Sequence, residues 1–150
     1  MTVTKAQLQS DLHEAMRARD RVRSATLRMA LTAITTAEAA GAHHDLSADE
    51  VQAVLTKEAK KRREAATAYE QAGRPELAAT ENGELAVLQD YLPQQLDEAA
   101  ITELVDAAIA ETGATGPAQM GQVMKAVQPK VAGRADGGAV AAVVQQRLTR

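Results

Sequence analysis

The stretch SADEVQAVLTKEAKKRREAATAYEQAGRP, Ser47 to Pro75, decides the fold class. Ser47 followed three residues later by Glu50 is a capping box, in which hydroxyl and carboxylate each satisfy a free backbone N–H of the other. Val51, Val54, Leu55 and, four turns further, Tyr69 recur at helical spacing. Gly73-Arg74-Pro75 then stops the run and sets Pro75 in the first turn of another helix.

The same signals extend in both directions. Upstream, Leu8, Leu12, Ala15 and Met16 predict a helix from about Lys5 to Ala18. Asp20 caps a second, carrying Leu27, Ala30, Leu31 and Ile34, which fades near Gly41. Downstream, a fourth helix with Leu77, Leu85, Leu88 and Tyr91 stops at Leu92-Pro93. Asp97 caps the next, with Ile101, Leu104, Val105, Ala108 and Ile109, closed by Gly113. Gly116-Pro117 opens a short helix with Met120, Val123, Met124 and Val127, and Gln128-Pro129 is expected to end it. Asp136 caps the last, with Val140, Val143, Val144 and Leu148. No segment alternates like a strand and no repeat is visible. The expectation is an all-α protein: a four-helix N-terminal module, residues 1–93, then a three-helix C-terminal mini-bundle, residues 94–150.

Composition narrows the function. The 150 residues are 45% hydrophobic and 25% charged, as in globular proteins. Two Tyr with no Phe and no Trp leave a core of Leu, Val, Ile, Met and Ala, and few platforms on which bases could stack. The absence of Cys rules out disulfides, thiolate nucleophiles and Cys-ligated metals. Met1 to Ser10 lacks the apolar centre of a signal peptide, and no apolar run approaches the roughly 20 residues of a membrane helix. A soluble cytoplasmic protein without membrane association is expected. The net charge of −3 means that nucleic-acid binding would need a local basic patch.

Several charges fall on apolar stripes. At about 100° per residue, Glu58 and Arg62 lie in line with Val51, Val54, Leu55 and Tyr69. Arg23 lies in line with Leu27, Ala30 and Ile34, and Glu81 and Glu84 with Leu77, Leu88 and Tyr91. Buried charges persist when paired, so the favoured reading is an internal ion network of Arg23, Glu58, Arg62, Glu81 and Glu84 that fixes helix register. The sharper alternative is a carboxylate site, Glu58, Glu81 and Glu84, for a metal or acid–base work. It lacks the Glu-x-x-His pattern of helical di-metal sites. His43-His44-Asp45 is a poor chelate alone, and His13 has no nucleophile beside it. No Gly-x-Ser-x-Gly, Ser–Lys or dinucleotide signature occurs. No catalytic residue, metal or cofactor is assigned.

Other basic residues point outward. Lys57, Lys60, Lys61 and Arg63 form either a solvated face partly neutralised by Glu64 or a phosphate-contacting ridge. Arg17, Arg21 and Arg28 make a second outward patch. Near the C-terminus, Gly121 suits close helix approach and Gly133 a tight turn. Gly137 and Gly138 leave open N–H groups at a helix start, with Lys130 and Arg134 nearby in sequence. That is either a capped turn or an anion site; the spacing is not that of a P-loop.

Read in order, the segments Leu27-Arg28, Lys57-Glu58-Ala59-Lys60-Lys61-Arg62, Tyr69-Glu70-Gln71-Ala72-Gly73-Arg74, Glu76-Leu77-Ala78, Glu81, Glu84-Leu85 and Leu88 carry a resemblance. It continues through Tyr91-Leu92-Pro93-Gln94-Gln95-Leu96, Met120-Gly121-Gln122-Val123-Met124, Pro129-Lys130 and Gly133-Arg134-Ala135-Asp136-Gly137. Together they resemble the GatB/YqeY family over nearly the whole chain. Free-standing YqeY-like proteins are similar to the C-terminal part of the B subunit of the tRNA-dependent amidotransferase, which amidates Glu-tRNA(Gln) or Asp-tRNA(Asn). The resemblance implies two helical modules and a tRNA-contacting tail formed by the last three helices. Lys125, Lys130 and Arg134, with Gly137, would be its phosphate-contacting candidates. Gln122 stands where many relatives have Lys, which lowers the local charge.

The leading functional expectation is weak, salt-sensitive recognition of tRNA or other structured RNA by shape and phosphate contact. A second is a protein-interaction module docking on amidotransferase subunits or a translation factor. A third is carbon–nitrogen ligase activity, with glutamine as amido-N-donor, exerted only in complex. The chain has no counterpart of the ATP-using or ammonia-generating domains.

Overall fold

The computed structural model describes residues 3–40, 44–131 and 134–149. Among these residues the chain forms seven α-helices and one 3-10 turn, with no strand. It divides into two compact units, Met1–Leu92 and Pro93–Arg150.

In the first unit, local side chains set the helix starts. Thr4 accepts from the Gln7 N–H to begin α1 (Lys5–Arg17), and Asp20 accepts from the Arg23 N–H to begin α2 (Arg21–Ala39). Ser47 and Glu50 form both halves of the capping box at α3 (Ala48–Gln71), and Pro75 opens α4 (Pro75–Gln89). Helix α3 packs on α4 and α2, and α2 packs on α1 and α4. Val3, Leu8, Ala15, Leu27, Ala30, Ile34, Val51, Leu55, Ala59 and Leu88 fill the space between them. Two expected core positions are on the surface: Met16 is 50% and Leu77 39% exposed, and Ala78 takes the buried place on α4.

In the second unit, Asp97 caps α5 (Glu98–Thr112) and Gly113 ends it in the left-handed region at φ 69°. A 3-10 turn, Pro117–Gln119, leads directly into α6 (Met120–Val131), and α7 (Gly137–Leu148) follows. Valines dominate the core: Val105, Val123, Val127, Val131, Val140, Val143 and Val144, with Ile101 and Leu148. Arg147 donates a two-pronged hydrogen bond to Asp106 at 2.7 and 2.9 Å, fastening α7 to α5.

The sequence reading is corrected at three points here. Pro129 does not end α6, which runs on to Val131. The burial of Val131 and the Arg134 side chain, which donates to the Lys130 and Val131 carbonyls, hold the last turn helical. Gly121 serves no close approach, since nothing lies within 4 Å of where its Cβ would stand. Asp136 holds the N-cap position of α7, but its side chain does not make the cap hydrogen bond. The expectations for His43 and Gly133 lie outside the described residues.

Candidate functional site

Helix α3 sets Glu58 and Arg62 one turn apart. Arg62 is only 8% exposed. Its Nη1 lies 2.5 Å from Glu58 Oε2, and Nη2 donates to Met29 Sδ on α2 at 3.3 Å. Its Nε is 3.3 Å from Glu84 Oε2 on α4, close enough for attraction but not aligned as a hydrogen bond, so that buried N–H has no acceptor among the described residues. Burial, and then the neighbouring Glu81 charge, push the Glu84 carboxyl above its ordinary range, outweighing the pull of Arg62. Glu58 and Glu84 are therefore clamped on one guanidinium. No group of three or more potential ligands that could hold a metal occurs among the described residues.

Arg23 stands in a different cluster from Arg62. Its Nη2 donates to the Tyr91 hydroxyl at 2.7 Å, and that hydroxyl donates to Asp11 at 2.5 Å. Asp11 and Asp90 lie 3.9 and 3.6 Å from the guanidinium, which is also 5.6 Å from the centre of the Tyr91 ring. Burial and the bond to Asp11 raise the Tyr91 hydroxyl far above its ordinary value, so it stays a neutral donor. The structure thus joins Glu58, Arg62 and Glu84, sets Glu81 beside Glu84, and places Arg23 with Asp11, Asp90 and Tyr91, a pairing the sequence reading did not make. Asp11 was recognisable, because it falls on the α1 stripe between Leu8 and Ala15. Its partner Tyr91 was not, because the two are 80 positions apart.

The outward basic residues fall into sets of unequal availability. On α3, Lys61 lies 3.3 Å from Glu58 and Lys60 4.0 Å from Glu64, whereas Lys57 and Arg63 have no carboxylate partner among the described residues. In the second unit, Lys130 pairs with Glu111 at 3.0 Å and Arg134 is folded back on the end of α6. Lys125 is exposed and without a partner among the described residues. Gly137 borders a crevice shared with Met124, Val127, Val131 and Val140, an apolar surrounding rather than a cationic one. The Asp136 carboxylate is 3.1 Å from the Cβ position of Gly138, so the start of α7 already has a negative group beside it. The α1–α2 corner differs from all of these. Arg17, Arg19, Arg21 and Arg28 are exposed there, and none has a carboxylate partner among the described residues.

Charges paired at the helix interfaces and exposed cations without a carboxylate partner among the described residues thus coexist in this helical protein. The chain matches the family described as Yqey-like protein over residues 5–148, and it belongs to that family. No curated protein matches it. No helix among the described residues is long and apolar enough to cross a membrane.

Proposed function

We propose that the protein is a non-catalytic accessory that binds tRNA or another structured RNA through phosphate and shape contacts. The observation that carries this reading is the uneven use of charge. A chain of net charge −3 has exposed arginines and lysines without a carboxylate partner among the described residues, while Asp11, Glu58 and Glu84 are held on Arg23 and Arg62. Folded RNA can be recognised along its backbone without aromatic stacking, which suits a protein with two tyrosines and no other aromatic residue. The resemblance to the amidotransferase B-subunit tail points to tRNA in particular. With Lys130 and Arg134 engaged within the protein, Lys125 is the strongest candidate in the second unit. Lys57, Lys60, Lys61 and Arg63 are the candidates on α3. Any carbon–nitrogen ligase activity would depend on partner subunits.

The test is fluorescence anisotropy of the protein with total tRNA across a salt series, with a ribosomal RNA fragment as control. Binding that falls linearly in log–log salt and prefers tRNA is expected. Absence of binding at low salt rejects the reading.

A second reading has its own observation. Met29, Ala33, Ala37 and Val54 line a groove between α2 and α3, with Lys57 and Lys61 at its edge, and Met29 is among the exposed large apolar residues. Such a groove suits a partner protein, and retention of that partner after nuclease treatment would favour it.

A further inference from the structure

Three features coincide at the α1–α2 corner. First, α1 ends in a Schellman arrangement: the Asp20 N–H bonds the Ala15 carbonyl at 2.9 Å and the Arg19 N–H bonds the Met16 carbonyl at 3.1 Å. The left-handed residue of that arrangement is Arg19, at φ 57°. The other positive-φ positions of the described residues, Gly73 at φ 73° and Gly113 at φ 69°, use glycine, which adopts this conformation without a Cβ clash. Secondly, the first turn of α2 carries Arg21, which has no carboxylate partner among the described residues, and has no acidic residue, a lack it shares with α1, α6 and α7. Cations at the positive end of a helix dipole are disfavoured. Thirdly, Arg19, Arg21 and Arg28 line a single open concavity with Met16, Asp20 and Ser24. Their guanidinium groups have neither an ion-pair nor a hydrogen-bond partner among the described residues. The only carboxylate lining that concavity among the described residues, Asp20, is occupied with the Arg23 N–H.

Backbone strain, helix polarity and unneutralised charge all work against stability at one place. Such local conflicts concentrate at functional sites. We infer that Arg19, Arg21 and Arg28 form a phosphate-binding site that takes the backbone of a folded RNA. Guanidinium forks match phosphate oxygens two at a time, and the N-terminal end of α2 adds field of the same sign. The inference rests on the RNA-binding reading and gives it a location in the first unit, rather than in the tail-like segment that the family resemblance indicates.

The experiment measures tRNA affinity against salt for the wild type, Arg19→Gly and the double variant R21Q/R28Q, with thermal unfolding of each. Arg19→Gly is expected to raise the unfolding midpoint by a few degrees while weakening tRNA binding several-fold, two readouts of opposite sign. The double variant is expected to weaken binding on the order of 10-fold and to reduce the log–log salt slope by about 1 for each phosphate no longer neutralised. If the wild type does not bind tRNA at all, the RNA-binding reading fails and this site fails with it. If the wild type binds and both variants bind as tightly, RNA recognition survives and the assignment to this corner is overturned. Equal binding of the wild type to polyglutamate of matched charge overturns the phosphate assignment.

Discussion

Arg62 is the residue whose loss the first unit should tolerate least. Arg62→Ala would leave the partly buried Glu58 and Glu84 without their shared cation, which typically costs about 3 kcal/mol. The pH dependence has a definite sign. Glu84 already has a folded-state pKa above its ordinary value, so the stability linked to its proton is full below that ordinary value and is lost as pH rises through the folded one. Without Arg62, which lowers it, the folded Glu84 carboxyl holds its proton more tightly still. The deficit of the variant should therefore narrow between pH 7 and pH 5 in urea unfolding, and a deficit that is constant or grows on acidification contradicts the assignment. Tyr91→Phe offers a second check. It removes a hydroxyl that accepts from Arg23 and donates to Asp11, with an expected loss of about 2 kcal/mol at neutral pH. No change would mean that water replaces the hydroxyl at little cost. Both clusters show the limit of a stripe analysis: it identifies a charge on an inner face but not the group opposite.

Helix boundaries were legible wherever the stop or start depends on residues a few positions away. The Ser47–Glu50 box, the Asp20 and Asp97 caps, Pro75 and Gly113 all occupy their expected places. Pro129 misled because proline tends to terminate a helix, whereas the buried Val131 keeps the last turn of α6 against the core. At Gly113 the reason for glycine is purely backbone, since no atom lies within 4 Å of its Cβ position. Gly113→Ala should therefore cost about 1 kcal/mol of second-unit stability through the left-handed φ alone. A circular-dichroism melt indistinguishable from wild type would show that the turn relaxes.

The two cores share no residue: one is built around Leu8, Leu27, Leu55 and Leu88, the other around valines of α5, α6 and α7. Leu55→Ala should lower only the transition belonging to the first unit, by about 3 kcal/mol, and Val105→Ala only that of the second. Calorimetry in which either substitution moves a single common transition would show the units to be energetically coupled. By itself the sequence determined the helices, because periodicity, caps and left-handed stops are interactions between near neighbours along the chain. It also bounded the chemistry: no thiol, few aromatics and a net negative charge. Only the tertiary structure decided which charges are spent and which are free. Arg23 meets Tyr91 across 68 positions and Lys130 meets Glu111 across 19, while the arginines of the α1–α2 corner meet no carboxylate among the described residues. Charge pairing depends on separations of a few ångströms between helices, and those distances follow from packing rather than from the local pattern that defines each helix.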